Sequence, residues 1–270
     1  MIDYKKAQKI LLNSKIDIGN EKVKVSESLN RICSSNIYSR VNYPSGNNAA
    51  FDGYAIFTKD TNNITKKCPQ KFKILKTIAA GDNPKIKKFN KFDAIEVMTG
   101  ALIPKPFNTI IPIEEIKFYP SVNNKKYILL DKKIKKKLHV RYMGSDYTKR
   151  ELVIKKGVFI QPSHILAFKS LGIKKIIVKK KPNVLFFSTG NEITNKEKIP
   201  NWKVRNSNSH YIQSIGRNFM FNFNNGGILK DKSELIFEKQ IKKIFNSKID
   251  IIITSGAVSA GKFDFVPKII

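Results

Sequence analysis

Apolar residues spaced three or four positions apart predict helices in four segments of the chain. The segments are residues 3–13, 161–172, 206–220 and 234–245. Pro162 and Gly172 stand where a helix commonly begins and ends, and Ser207 or Asn208 is expected to cap the third helix. The last helix is expected to place four apolar residues on one side: Leu235, Ile236, Ile241 and Ile244.

Apolar runs predict strands in two different settings. Between residues 43 and 146 the runs are short and broken by Gly, Pro and Asn, which is typical of a β-rich domain. The lysine-heavy stretch 122–137 is expected to contain an exposed hairpin with an Asn-Asn pair near its turn. The runs 183–188 and 250–254 are uninterrupted and alternate with predicted helices, so we expect neighbouring parallel strands in a sheet covered on both faces.

The loops after these two runs are the first candidates for chemistry, because ligands bind at the carboxyl ends of parallel strands. The first run ends in STGNE, which contains Thr189 and Gly190, and the second enters SGAVSAG at residues 255–261. Small residues, hydroxyls and free backbone N–H groups let a phosphate-like anion approach the backbone. Such turns are common, so the pattern alone does not identify the ligand.

Three carboxylates follow loops in this region: Glu192, Asp231 and Asp264. If they converge at one sheet edge they repel one another unless a cation lies between them. The alternative is that Asp231 and Asp264 cap helices, and their spacing alone favours that alternative.

The composition limits the class of protein. A chain of 270 residues is long enough for two or three domains. No apolar run approaches the ~20 residues of a membrane helix, and the N-terminus lacks a signal-peptide core, so we expect a cytoplasmic protein. Cys33 and Cys68 are far apart and the histidines are scattered, which argues against a disulfide framework, a zinc cluster or a histidine metal site.

The net charge of +30 suggests nucleic-acid binding as one interpretation. However, 45 of the 51 basic residues are lysines spread along the whole chain, and only six are the arginines that read phosphates and bases. A solvated lysine-coated surface is therefore the favoured interpretation, and nucleic acid is disfavoured as a partner.

Eight segments, taken together, identify a family resemblance that none of them carries alone. They resemble, in the same order, DNSAMDGYA, AGxxP, IMTGAPLP, VVxxEE, NVRRRGED, RPRVAVLSTGDEL, DSN and SGGVSVGxxD of molybdopterin molybdenumtransferase, the MoeA family that includes the gephyrin E domain. In this chain the segments are NNAAFDGYA (47–55), IAAGDNP (78–84), EVMTGALIP (96–104), IPIEE (111–115), HVRYMGSD (139–146), KPNVLFFSTGNEI (181–193), NSN (206–208) and SGAVSAGKFDF (255–265).

The resemblance implies a reaction in which adenylylated molybdopterin and molybdate are substrates. Molybdenum is placed on the dithiolene, AMP is released, and Mg²⁺ assists. The implied catalytic residues are Asp52, Thr99, Glu192, Asp231 and Asp264, of which the last three are also the implied metal ligands. The implied substrate-binding residues are Arg141, Asp146, Thr189, Gly190, Ser207, Asn208, Ser255, Gly256, Ser259 and Gly261. A local structural ion pair is the equally weighted alternative for Arg141 and Asp146.

The resemblance also implies an α/β and β multidomain fold and a homodimer. Residues 1–42 and 147–181 would form an elongated helical linker domain, residues 43–146 the β-rich domain, and residues 182–270 a parallel-sheet molybdopterin-binding domain. The β-rich domain would complete the site of the neighbouring subunit, so Asp52 and Thr99 are expected to lie together and far from Glu192 of the same chain.

Departures from the family pattern carry their own expectations. Asn47, Ala49 and Phe51 replace Asp, Ser and Met at positions with packing or local hydrogen-bonding roles. Ala257 replaces a glycine, so it would strain the loop if that position needs a positive φ. Lys232 replaces an acid and puts a cation beside Asp231.

The end of the chain is the largest departure. It stops at Ile270, whereas family members continue, so a piece of a longer protein is expected. Two other functions stay open: a non-catalytic scaffold that keeps the molybdopterin pocket, and a basic nucleic-acid-binding protein.

Overall fold

A computed structural model describes residues 2–14, 16–230, 233–244, 247–258 and 266–269. Its α-helices are α1 (Tyr4–Asn13), α2 (Pro162–Ser170), α3 (Ser207–Phe219), α4 (Glu234–Ile244) and α5 (Val266–Ile269). Its strands are β1 (Asn20–Lys24), β2 (Ile37–Tyr38), β3 (Asn48–Ala49), β4 (Gly53–Ile56), β5 (Gln70–Ile78), β6 (Asp93–Val97), β7 (Thr109–Pro112), β8 (Lys117–Ser121), β9 (Asn124–Leu130), β10 (Val140–Arg141), β11 (Leu152–Ile154), β12 (Lys175–Lys179), β13 (Asn183–Thr189), β14 (Ile193–Thr194), β15 (Val204–Arg205), β16 (Asn222–Leu229) and β17 (Ile251–Thr254).

The chain divides into two compact units. The parallel-sheet unit contains Met1–Ser35, Lys155–Ile165 and Lys174–Ile270, and the β-rich unit contains Asn36–Ile154 and Leu166–Ile173. The fold is thus mixed, with one α/β part and one β-rich part, as the sequence indicated. The division into three domains with an elongated linker stays a prediction.

A six-stranded sheet organises the β-rich unit, in the order β7-β4-β6-β5-β9-β8. All neighbours are antiparallel except β5 and β6, which are parallel. Strand β4, between β7 and β6, is buried along its whole length because two apolar clusters cover it: Ala55 belongs to one cluster, and Tyr54 and Ile56 belong to the other.

A hairpin with its turn near the Asn-Asn pair is present, but it spans residues 117–130 rather than lying within residues 122–137. Strands β8 and β9 pair antiparallel, and Ser121 and Asn124 face each other across the turn. The helix predicted over residues 3–13 is also confirmed, since α1 begins after Asp3, whose carboxylate accepts a hydrogen bond of 2.8 Å from the N–H of Lys6. Helix α2 begins at Pro162, and Gly172 has a φ of +71° beyond its end.

A parallel three-stranded sheet, in the order β16-β13-β17, organises the other unit. The predicted strands 183–188 and 250–254 are therefore direct parallel neighbours. Strand β13 is central and mostly buried, whereas β17 has one pairing partner among the described residues and is half-buried. Strand β16 was not among the predicted strands, and its polar and glycine-rich run NFNNGGIL pairs with β13 along its length.

Two details of the helices differ from the sequence prediction. The prediction is confirmed for Ile241 and Ile244, which pack together with Phe237, and it is wrong for Leu235 and Ile236, which are 72% and 56% exposed. Phe237, Ile241 and Ile244 recur at intervals of four and three, the spacing of a helix face. The N-cap of α3 is Asn206 rather than Ser207 or Asn208. The Asn206 side chain forms no cap bond and instead accepts a bond from the Ser188 hydroxyl.

In the part of the chain that the structure describes, no helix is both long and apolar enough to cross a membrane.

Candidate active site

Asp52 and Thr99 lie together in the β-rich unit, as the sequence predicted. The Asp52 carboxylate accepts a bond of 2.7 Å from the Thr99 hydroxyl and one of 2.6 Å from the Thr99 N–H. These bonds, the hydroxyl first, hold the pKa of Asp52 below its ordinary value, so the group is an anion near neutral pH. Both residues are exposed, which leaves the anion accessible to a ligand.

The position after Asp52 is occupied by Gly53, and the close approach of a neighbouring strand requires a glycine there. A Cβ on Gly53 would lie 2.1 Å from the carbonyl oxygen of Ile111 in the paired strand β7. No backbone shift short of separating the strands relieves that contact, so only glycine fits. The close approach of β4 to β7 fixes the position of Asp52 at the start of β4.

Three of the matched segments converge around this pair. Strand β3 pairs with β10, which places Asn48 opposite Arg141. The Asn48 amide donates a bond of 2.7 Å to the carbonyl of Gly100, the neighbour of Thr99. Segments 47–55, 96–104 and 139–146 therefore meet at one place. The Asn48 Oδ1 is buried and has no hydrogen-bond partner within the described residues.

Arg141 and Asp146 form an ion pair through Nη2 and Oδ2, and both side chains are exposed. The hydroxyl of Ser145 also donates to Asp146 over 3.1 Å. The local ion pair that the sequence left open is thus present, and its exposed position still allows substrate contact.

In the parallel-sheet unit, the loops after β13 and β17 meet. The Ser255 hydroxyl accepts a bond of 3.2 Å from the N–H of Thr189, and the Ser255 N–H donates to the carbonyl of Phe187 over 3.0 Å. Thr189 is only 6% exposed, yet its Oγ1 has no hydrogen-bond partner among the described residues. A buried hydroxyl without a partner is costly in a folded protein, so it is a group to which a ligand can bind favourably.

The loop after β17 needs small residues and adopts a strained conformation. A Cβ on Gly256 would lie 2.6 Å from Thr189 Oγ1, so the glycine leaves the space beside that hydroxyl open. Ala257 has a φ of +61°, in the left-handed region. The predicted strain at this glycine-to-alanine replacement is confirmed, and such a conformation costs about 1–2 kcal/mol for a residue with a Cβ.

Glu192 lies at the same end of the sheet. Gly190 has a φ of +133°, and a Cβ there would lie 2.4 Å from a Glu192 carboxylate oxygen, so this carboxylate folds over Gly190. Among the described residues Glu192 takes part in no ion pair. The carboxylate is exposed and is available to a cation or a polar ligand.

Helix α3 begins beside this loop because Asn206 connects it to β13. The Asn206 Oδ1 accepts a bond of 2.6 Å from the Ser188 hydroxyl, and its N–H donates to the carbonyl of Thr194 over 3.1 Å. Ser207 and Asn208 form the exposed first turn of the helix, where free N–H groups favour anions.

Four predicted site residues lie outside the described residues: Asp231, Asp264, Ser259 and Gly261. Lys232 also lies outside them. Among the residues that the structure does describe, no three His, Cys, Asp or Glu side chains are close enough to hold a metal ion.

Four residues that shape the surroundings of Asp52 and Thr99 or the loops after β13 and β17 were not predicted from the sequence: Asn48, Lys203, Asn206 and Lys230. Asn206 lies in the matched NSN segment, but the pattern indicated only capping. No signal distinguished Lys203 or Lys230 from the other lysines, because their hydrogen-bond partners lie 12 to 40 positions away along the chain.

Comparisons with known protein families match nearly the whole chain. Residues 2–172 match the family described as MoeA N-terminal region (domain I and II), and residues 186–270 match the probable molybdopterin binding domain. The chain is similar to the molybdopterin molybdenumtransferase of Staphylococcus epidermidis, with 28% identity over 269 residues, and to that of Staphylococcus aureus, with 28% identity over 270 residues. It spans 62% of the length of these curated relatives.

Two solved structures of a molybdopterin biosynthesis MoeA protein from Pyrococcus horikoshii are also similar. One has a TM-score of 0.84 and 27% identity, and it covers all of this chain and 66% of that chain. The other has a TM-score of 0.82 and 29% identity, and covers 95% of this chain and 67% of that chain.

Proposed function

We propose, from the premise that this chain belongs to the family of the MoeA N-terminal region, that it inserts molybdenum into adenylylated molybdopterin. Molybdate would be the second substrate, and AMP and molybdenum cofactor the products. The observation that carries this proposal is the meeting of the loops after β13 and β17, where Thr189 Oγ1 is buried without a described partner. That hydroxyl and the open space at Gly256 suit a polar, phosphate-bearing ligand.

The described residues suggest how each part would act. Backbone N–H groups and the first turn of α3 would bind the phosphates of the substrate. Asp52, held as an anion by Thr99, would orient a polar group of the substrate or accept a proton from it. Arg141 would contribute a positive charge toward an anionic substrate while Asp146 fixes its direction.

Mg²⁺ is part of the proposal because carboxylates are the ligands that this ion prefers. Glu192 is the one described member of its proposed ligand set, which includes Asp231 and Asp264, and its carboxylate has no described ion pair. When bound, the ion would neutralise phosphate charge on the leaving AMP.

We also propose a homodimer in which the β-rich unit of one subunit completes the site of the other. Mixing an Asp52→Asn variant with a Glu192→Gln variant tests this arrangement. Hybrid dimers would contain one intact site, so random mixing should restore about a quarter of the wild-type rate. No recovery from a mixture in which two differently tagged variants co-purify as hybrid dimers would refute the shared site.

The reaction is tested by measuring molybdate-dependent release of AMP from adenylylated molybdopterin. Calorimetry with AMP, with and without Mg²⁺, measures binding separately. We expect AMP to bind more tightly with Mg²⁺, and salt to slow association because the positive surface attracts anions. Absence of AMP binding together with tight, salt-sensitive binding of duplex DNA would refute the proposed enzymatic function and support a nucleic-acid-binding function.

A non-catalytic molybdopterin-binding scaffold is the second candidate. The observation that favours it is Lys232, which stands beside Asp231 where the family pattern has an acid. Magnesium-dependent AMP binding without any release of AMP from the adenylylated substrate would support the scaffold over the enzyme. Cytoplasmic location and the elongated linker domain stay predictions from the sequence.

A further inference from the structure

The side chain of Lys230 forms hydrogen bonds to the backbone of the loop that carries Glu192. The Lys230 ammonium donates to the carbonyls of Ile193, Gly190 and Asn191 over 2.6, 3.3 and 3.4 Å. An ammonium group has three N–H donors, and each is directed at one carbonyl of this loop. Lys230 therefore gathers three carbonyls of one four-residue loop around a single positive charge.

Lys230 itself is fixed by the elements on both sides of it. It directly follows β16, and the preceding carbonyl of Leu229 accepts a bond of 3.0 Å from the N–H of Gly190. The N–H of Lys230 donates to the Ser233 hydroxyl over 2.8 Å, and the N–H of Ser233 donates back to the Lys230 carbonyl over 2.7 Å. The loop is therefore fastened to the end of β16 by both a backbone bond and the lysine side chain.

Protecting buried polar groups does not explain this arrangement. Lys230 and Asn191 are exposed and Gly190 and Ile193 are only half-buried, so water is an alternative partner for these carbonyls. What the lysine changes is the shape of the loop. Separate water molecules would leave the three carbonyls unconnected, whereas one ammonium group draws them toward a single point.

That shape determines where Glu192 points. Its carboxylate folds over Gly190, whose carbonyl is one of the three that Lys230 binds. Because the ammonium donors are directed at carbonyls, Lys230 forms no ion pair with Glu192, and the carboxylate stays available. Lys203 adds a weaker hold, since it reaches one carbonyl, that of Asn191, over 2.7 Å.

We propose that Lys230 is a positioning residue, which shapes the Gly190–Ile193 loop so that the Glu192 carboxylate is presented to a bound cation and phosphate ligand. This inference rests on the proposed function, because that function gives Glu192 its ligand. Lys230 acts through Glu192 and through the loop, without contacting the reacting atoms.

The test uses the Lys230→Met variant, which keeps the aliphatic stem and removes all three donors. Calorimetry with AMP should show that the gain in affinity on adding Mg²⁺ falls about tenfold, the size typical of residues that orient metal ligands. Lys230→Arg, which keeps the charge and the donors, should restore the gain to within about threefold. Lys203→Met should have a smaller effect, and Lys239→Met, an equal charge change on the exposed side of α4, should have none.

A double-mutant cycle separates positioning from a general loss of structure. If Lys230 acts through Glu192, its replacement by Met should add little in a Glu192→Gln background. An undiminished gain with Mg²⁺ in Lys230→Met, or a full-sized loss that persists in the Glu192→Gln background, would overturn the proposal.

Hydrogen exchange distinguishes failure of this inference from failure of the proposed function. Lys230→Met should speed exchange at the amides of Ile193 and Val204, which bond to Gly190 and Glu192, while the amides of β13 stay protected. If the wild-type chain binds no AMP, the proposed function fails, and this exchange decides whether Lys230 holds the loop. Unchanged exchange in the variant would then refute the inference.

Discussion

In the β-rich unit the carboxylate of Asp52 is satisfied by bonds within the unit, whereas in the parallel-sheet unit the buried Thr189 hydroxyl has no described partner. Asp52 receives two bonds from Thr99 at the start of β4, a strand that is buried along its whole length. Thr189 Oγ1 has no partner among the described residues, and neighbouring Ala257 has a left-handed backbone. The comparison indicates that one unit presents a rigid, preformed anion, while the other keeps strained and unpaired groups for a ligand to stabilise.

Gly53→Ala should have the largest effect, and it should be on stability. The new Cβ would meet the backbone of Ile111 at 2.1 Å, and backbone in a buried strand pair cannot move aside. We expect the free energy of unfolding, measured with denaturant, to fall by about 3 kcal/mol or more. Gly46→Ala in the same unit meets only the flexible tip of Leu102, so a loss as large as that of Gly53→Ala would contradict this explanation.

Gly256→Ala should separate binding from stability in the other unit. Its Cβ would approach a side-chain atom, Thr189 Oγ1, at 2.6 Å rather than backbone. Rotation of that hydroxyl should limit the stability loss to about 1 kcal/mol. Because the open space beside the hydroxyl is filled, AMP affinity measured by calorimetry should fall about tenfold or more. A loss of stability in Gly256→Ala without any change in AMP affinity would show that this space is not part of the AMP site.

Thr189→Val and Ser188→Ala compare two buried hydroxyls at adjacent positions. The Ser188 hydroxyl donates to Asn206 over 2.6 Å, so its removal should lower the free energy of unfolding by about 1–2 kcal/mol. Removal of the Thr189 hydroxyl, which has no partner among the described residues, should leave stability unchanged, or raise it by up to about 1 kcal/mol, while weakening AMP binding. Thermal unfolding and calorimetry measure both quantities, and a clear loss of stability in Thr189→Val would show that the hydroxyl has a partner.

Thr99→Val should have the smallest effect, confined to the charge of Asp52. Loss of the hydroxyl bond should raise the pKa of Asp52 toward its ordinary value, as a carboxyl NMR titration would measure. A lowered pKa in the folded state contributes stability above the unfolded-state pKa and loses it as the pH falls through the folded value. The variant should therefore be slightly less stable than wild type at neutral pH, and the difference should vanish in acid.

The matched control for that titration lies in the same unit. The N–H and hydroxyl of Thr148 bond to Glu151 and lower its pKa in the same way. Thr148→Val should raise the pKa of Glu151 without any change in the proposed AMP release. A rise in the pKa of Asp52 in Thr148→Val equal to that in Thr99→Val would show that the effect does not depend on the Thr99 hydroxyl.

Local pattern was sufficient where one element buries its own side chains. The run 183–188 predicted a buried parallel strand because such strands are apolar along their whole length, and β13 has that character. The matched segments correctly grouped Asp52 with Thr99, and the departure at Ala257 predicted the strain that its φ of +61° shows. The roles of Glu192, Arg141 and Asp146 stay predictions, since position alone does not test them.

The sequence by itself determined four helices and the two apolar strands, the order of the motifs and the residue types that the two site regions contain. Tertiary structure alone decided which faces and partners they use. The polar run of β16 is a strand because β13 supplies its hydrogen bonds, and Gly226 fits there because a Cβ would lie 2.3 Å from the Phe187 ring. Lys230 differs from other lysines only through three carbonyls near position 190. Periodicity reports the burial of one element, whereas hydrogen-bond partners distant in sequence are fixed only when the chain has folded.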